Sequence, residues 1–268
     1  KVSGVAVVGL LLVWCGCETT LAQTKPDGIL PAPVNDSQTA ARTEADPRVR
    51  RYVMPARVVW QSGDTTVENP QALLVHRSGQ VTLDASNPCV LRNSNDKQAG
   101  VLLDFGKELH GGVQIMVWHT KDNKPVRLRV RFGESVSEAM AEPNQDHAIH
   151  DQETLVPWYG TAEIGNTGFR FVRIDLVDAE NELLLNHIRA VFIYRDIEYK
   201  GQFRCNDERL NRIWQTGAYR THLCMQDRLW DGIKRDRLVW IGDMHPETTV
   251  ISHVFGDQDV VPLSLDYV

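Results

Sequence analysis

From Val126 to Phe132 the chain alternates without a break: Val126, Leu128, Val130 and Phe132 are apolar, and Arg127, Arg129 and Arg131 stand between them. A side-chain period of two fits a strand with one buried and one wet face, and it fits nothing helical. Val113, Ile115 and Val117 alternate with Gln114, Met116 and Trp118 in the same way. Further strands are predicted at 72–75, 81–83, 101–105, 169–177 and 188–194. Turn signals separate them, at Arg77-Ser78-Gly79, Asn87-Pro88, Gly111-Gly112, Asp122-Asn123-Lys124-Pro125 and Gly165-Asn166-Thr167-Gly168. Short strands punctuated this often, with no helix between them, predict a mainly β domain, an antiparallel β-sandwich over 56–204. The longest interruption, 135–151, reads as a surface excursion. It holds His147, His150 and Asp151, which have no further partner at metal-ligand spacing, so no metal is expected.

At Phe203 the pattern changes. Asn206-Asp207-Glu208 supplies a cap and first-turn acids, and Leu210, Ile213, Trp214, Gly217, Thr221 and Cys224 follow at helical spacing. This predicts an amphipathic helix ending near Gln226. Pro246 and Glu247 open a second helix with Val250, Ile251, Val254 and Phe255 as its apolar face, closed by Gly256. Two helices over 205–268 cannot bury both their own apolar faces and a wide charged loop. The chain is therefore expected to belong to a longer protein or to pair with another.

Before the sandwich, Lys1 and the apolar run Val5–Trp14 have the form of a secretory signal over 1–22, with Thr20-Leu21-Ala22 as the cleavage site; Cys15 or Cys17 is an alternative point of lipid attachment. An exported protein is expected. The Pro-, Asp-, Ser- and Thr-rich stretch that follows reads as a linker or arm over 23–55. Across 268 residues the net charge is −6, which argues against nucleic acid as the main partner, and no apolar run is long enough for a membrane span. Cys89, Cys205 and Cys224 are too scattered for a disulfide framework or a zinc site and read as buried thiols.

The chemistry is concentrated between the two helices. Asp231, Asp236 and Asp243 interleave with Lys234, Arg235 and Arg237, beside Trp240, and Gly232 and Gly242 argue for a shaped loop rather than a solvated helix face. Carboxylates for acid–base work, guanidinium groups to hold them or hydroxyls, and an indole to face a sugar ring suit a carbohydrate site; a structural ion-pair network is the competing reading.

The order of sandwich, helix and the loop Asp231, Arg235-Asp236-Arg237, Trp240, Gly242-Asp243 resembles bacterial α-L-rhamnosidases, inverting glycoside hydrolases. Leu103-Asp104-Phe105-Gly106, Gly111-Gly112, Phe132-Gly133-Glu134 and Gly168-Phe169-Arg170-Phe171-Val172-Arg173 carry weaker likenesses to the sandwich of that family. The resemblance implies a β-sandwich followed by the first helices of a truncated (α/α)6 barrel and a rhamnose-containing glycan as partner; no cofactor is expected. It implies that Asp231, Arg235, Trp240 and Asp243 bind substrate. Asp236 falls where the general acid belongs, and the water-activating Glu base lies later than Val268, so the chain alone is expected to be inactive. The family's acid is typically a Glu in Arg-Asp-Glu-Arg; here the loop is one residue shorter and that Glu is absent, which leaves Asp236 and Glu247 as alternatives. A catalytically decayed relative is a second reading. A carbohydrate-binding sandwich using Trp60, Trp118 or Trp158 is a third.

Overall fold

The computed structural model describes residues 46–77, 80, 87–94 and 97–268. The expected signal, most of the expected arm and the expected strand at 81–83 lie outside these residues. From Asp46 to Val268 the chain is one compact unit. Its strands are β1 (Arg48–Val53), β2 (Arg57–Gln61), β3 (Val67–Glu68), β4 (Cys89–Arg92), β5 (Gly100–Thr120), β6 (Val126–Gly133), β7 (Asp151–Val156), β8 (Gly160–Leu176) and β9 (Glu182–Arg195). They form a nine-stranded sheet in the order β3-β4-β9-β5-β8-β6-β7, with β1 beside β9 and β2 beside β5. Every pairing is antiparallel.

β5 explains how one sheet encloses a core. Its first part, Gly100–Asp104, lies between β2 and the end of β8; its second part, from Gly111 on, lies between β9 and the start of β8. The change of neighbours passes through register shifts between Asp104 and Leu109 and between Gly111 and Val113. Strands that cross between layers do so at such bulges. Val101 and Leu103 from the first part share one buried cluster with Val113, Ile115 and Val117 from the second. The sheet thus folds over its own core, consistent with the expected sandwich.

The glycine pairs read as turns lie inside strands instead. Gly111 (φ 136°) and Gly112 stand where three backbones converge: a Cβ on Gly111 would sit 2.0 Å from the Val191 carbonyl oxygen, and one on Gly112 2.4 Å from that of Gly165. They mark close approach rather than reversal. Residues 72–75, expected as a strand, fall largely in the 3-10 turn Pro70–Leu74, entered through left-handed Asn69. Arg48–Val53, placed in the arm by its sequence, pairs with the edge of β9. Arg131, expected on the wet face, is buried and joined to Asp175 at 2.9 Å. The short helix α1 (Val136–Met140) lies beyond the end of β6. Its cap, Ser135, accepts from the Glu138 N–H, and Glu138 reaches back to the Glu134 N–H at 2.9 Å.

α2 (Glu208–Cys224) is capped by Asp207, as the sequence predicts. Its buried face differs from the predicted one. Asn211, Ala218, His222, Leu223 and Cys224 are buried, whereas Leu210 is 48% and Ile213 57% exposed. A polar seam sets this orientation: His222 Nε2 donates to the Arg195 carbonyl at 2.6 Å, and Tyr199 Oη donates to His222 Nδ1 at 3.0 Å. α3 (Ile241–Val254) starts before the predicted Pro246, so Gly242 and Asp243 belong to its first turn and not to the loop. Gly256 (φ 77°) follows its end. There Lys200 and Gly201 donate their N–H groups to the Val254 carbonyl at 2.8 and 2.9 Å. α4 (Val260–Leu265) completes the described chain.

At the β5 crossover, Asp104 holds the bend. Its buried carboxylate accepts from the Gly106 N–H (2.7 Å), Arg57 Nε (2.9 Å) and Arg170 Nε (2.8 Å). Burial alone would raise its pKa, but Arg170, the Gly106 N–H and Arg57 outweigh that and hold it at about 2. Asp104→Asn should cost roughly 2–3 kcal/mol at pH 7. A group with a depressed folded-state pKa stabilises above its unfolded value and stops doing so as pH falls toward its folded value. The penalty, read from urea melts, should therefore shrink between pH 4 and pH 2; a constant penalty would show that the charge is irrelevant.

Candidate functional site

The loop between α2 and α3 has a closed neck. The Asp231 N–H donates to the Leu238 carbonyl at 2.9 Å, and the Leu238 N–H donates to Asp231 Oδ1 at 3.0 Å. At its tip Asp236 (φ 63°) and Arg237 (φ 54°) are both left-handed, a conformation that costs a non-glycine residue on the order of 1–2 kcal/mol. Docking onto the sheet holds this shape. Ile233 is fully buried, and the missing Cβ of Gly168 makes its seat: a methyl group there would lie 2.7 Å from Ile233 Cγ1 and 3.1 Å from the Lys234 nitrogen. His150 Nε2 donates to the Lys234 carbonyl at 2.9 Å, and Arg237 Nη1 donates to the Asn166 carbonyl at 2.8 Å. Lys234 Nζ reaches Glu138 at 2.7 Å and Glu134 at 3.6 Å. Under the loop, burial lowers the His110 pKa to about 4, so a neutral ring packs edge-on against Trp230.

The docked loop forms one wall of a cleft of about 400 Å³, in which Asp231, Arg235 and Asp236 face Glu134 and Arg220. Three of the sequence-predicted residues are thus brought together. Trp240, Asp243 and Glu247 do not line this cleft; they lie at the start of α3, with Trp240 58% exposed. Asp243 and Glu247 are nevertheless one helical turn apart. Burial first, then the charges of Asp243 and Asp231, push the Glu247 pKa up to about 7. Arg235 and Asp236 form only a loose, exposed pair at 3.5 Å.

Sequence reasoning missed Glu108 and Arg220 and gave Glu134 and Lys234 no function. Glu108 Oε1 accepts from Arg220 Nη1 at 2.7 Å across 112 positions, a separation no local pattern reveals. Burial and a hydrogen bond with Glu134 raise the Glu108 pKa to about 7 against the pull of Arg220. The capping sequence Ser135-Val136-Ser137-Glu138 was the available signal that Glu134 and Glu138 sit at a fixed helix start. No group of three or more metal-ligating side chains occurs among the described residues. Cys89, Cys205 and Cys224 are free, the first and last of them buried.

No family model and no curated protein matches the sequence. Among solved structures, the chain is similar to a rhamnosidase from Klebsiella oxytoca with rhamnose bound, at 20% identity and a TM-score of 0.63 over 82% of this chain and 44% of that one. It is also similar to a GH78 family rhamnosidase of Bacillus sp. GL1, at 21% identity and a TM-score of 0.56 over 74% of this chain and 20% of that one. At these identities the likeness is one of fold. The chain spans less than half the length of either.

If Ile233 in its glycine seat fixes the loop, Gly168→Ala should speed hydrogen–deuterium exchange of the Asp231 and Leu238 amides selectively, with a global stability loss of about 1–3 kcal/mol. Unchanged protection at those amides would show that the loop is held elsewhere.

Proposed function

We propose that this chain is the acid-bearing, sugar-binding part of an exported glycoside hydrolase of the α-L-rhamnosidase type, releasing terminal α-L-rhamnosyl residues with inversion. The observation that supports it is the meeting of Asp231, Arg235 and Asp236 on one wall of a cleft whose volume of about 400 Å³ suits a small-molecule site. On this reading Asp231, through the oxygen not bonded to Leu238, joins Arg235 and Asp236 in holding sugar hydroxyls. The exposed Trp240 indole at the start of α3 offers an apolar face to a sugar ring. Glu247 is the general acid. It keeps its proton to about pH 7 through burial and the neighbouring Asp243 and Asp231, as a proton donor to a leaving oxygen must. An inverting reaction also needs a carboxylate roughly 6.5–9.5 Å away to activate water. We place that group in sequence later than this chain, so the chain alone binds rhamnose without hydrolysing rhamnosides.

L-Rhamnose binding by the 268-residue chain, followed by ligand-observed NMR, should be lost in Asp231→Asn. Absence of rhamnose binding would sink the substrate assignment. In a longer protein containing this chain, Glu247→Gln should lower kcat by about 10²–10⁴-fold on an alkyl rhamnoside, and much less on a 4-nitrophenyl rhamnoside, whose leaving group needs little protonation. Equal losses on both substrates would move the acid role to Asp236, where Asp236→Asn gives the same test. A decayed relative would bind the sugar and turn over neither.

Glu247 has a signature independent of turnover. A carboxyl whose folded-state pKa is raised from 4.5 to about 7 stabilises the fold below its unfolded value, and that contribution is lost as pH rises through 7. Glu247→Gln should therefore gain Tm relative to wild type between pH 5 and pH 8. A parallel pH dependence of the two Tm values would mean that Glu247 is already ionised at pH 5.

A further inference from the structure

Besides the loop, the cleft is lined by a donor and an acceptor from other elements. Glu134, at the end of β6, presents a carboxyl whose side chain is 39% exposed, and Arg220, on α2, a guanidinium 42% exposed. Their inner neighbour is the same residue. Glu108, 20% exposed in the β5 crossover, binds Arg220 Nη1 at 2.7 Å and lies near enough to Glu134 for that carboxyl to raise its pKa. Burial and the neighbouring Glu134 raise the Glu108 pKa to about 7, so Glu108 sits behind Glu134 largely as a neutral acid at lower pH, while the Glu134 carboxyl lines the cleft where a ligand hydroxyl can reach it. Tyr219 donates to the Glu108 backbone carbonyl, which fixes Arg220 and Glu108 together. A carboxylate beside a guanidinium is the complement of a vicinal diol: one hydroxyl donates, and its neighbour accepts.

We infer that Glu134 and Arg220 form a second sugar-recognising wall that grips two adjacent ring hydroxyls from the sheet side of the cleft, with Glu108 as the positioning residue behind both. This deepens the rhamnoside reading and rests on it for the identity of the sugar. The sheet then contributes directly to specificity instead of only carrying the loop.

The test is monosaccharide binding by the whole chain, with L-rhamnose, D-mannose and D-xylose as probes. Glu134→Ala should weaken binding by roughly tenfold or more, and Glu134→Gln, which keeps the volume, by less. Glu108→Gln supplies a readout that mere structural support would not move. The groups facing Glu108 are Glu134 from β6 and Arg220, Tyr219 and Cys224 from α2, while Lys234 and Glu138 face Glu134. Wild-type affinity should fall as pH rises through about 7, where Glu108 loses its proton and adds a second negative charge behind Glu134, and the Glu108→Gln variant should be flat from pH 6 to 8. Rhamnose binding undiminished in both Glu134 variants, while Asp231→Asn abolishes it, overturns the second wall and leaves the rhamnoside reading standing. Binding of mannose or xylose but not rhamnose, with the Glu134 sensitivity kept, supports the wall and overturns the rhamnoside reading. Binding of none of the three overturns both.

Discussion

Everything proposed for the site depends on one contact, the seating of Ile233 over the bare backbone of Gly168. A loop that from Asp231 to Trp240 has two acids, three bases and two left-handed residues has no reason of its own to hold a shape. Burying one isoleucine contributes on the order of 2–3 kcal/mol, enough to offset much of the strain at Asp236 and Arg237. The seat exists because Gly168 carries no side chain at the point of β8 where Ile233 and the Lys234 backbone pack against it. The β5 crossover beside it puts Glu108 behind the cleft and His110 under the loop. Sheet geometry thus decides loop geometry.

The polar groups around the loop divide by burial. Lys234 is largely covered and compensated by Glu138 and Glu134; Arg235 and Asp236 are exposed and pair only loosely. A covered charge must be paired, because an unpaired one costs several kcal/mol, so Lys234 acts as a strut. An exposed pair contributes almost nothing to stability and remains available to a ligand. This separates the residues that shape the wall from those that act on it, although all of them fall within a few positions of one another.

The sequence made the alternating strands, the Asp207 cap, the Gly256 stop and the irregular loop legible, because each is a local signal with a local cause. It misled wherever tertiary packing reassigns a local signal. Gly111-Gly112 and Gly165-Gly168 read as turns because glycine is most often needed where a chain reverses, but here Gly111 and Gly112 are needed where backbones converge, Gly165 where the Phe132 ring packs and Gly168 where Ile233 seats. Leu210 and Ile213 read as a buried face because helical spacing reveals which side is apolar, not which side the rest of the fold covers. Within the site, Asp231, Arg235 and Asp236 were legible because they are neighbours in sequence. Glu108 and Arg220 were not, since nothing but the fold brings them together.

The crowding of carboxyl groups is itself an argument about function. Asp243 and Asp231 act on Glu247 and Glu134 acts on Glu108, and in both Glu108 and Glu247 burial with these like charges raises the pKa to about 7. A fold under selection for stability alone would replace such groups with amides or apolar side chains, because raised carboxyl pKa values cost stability at neutral pH. The neighbouring framework shows the opposite practice: Asp104 and Asp175 each have two arginines within bonding distance. The same chain therefore gives each of these framework acids two cations, whereas Glu108 has Arg220 alone and Glu247 has no cation within bonding distance among the described residues. That asymmetry fits a surface that must hold a proton and accept hydroxyl groups, and it is hard to reconcile with a purely structural ion-pair network.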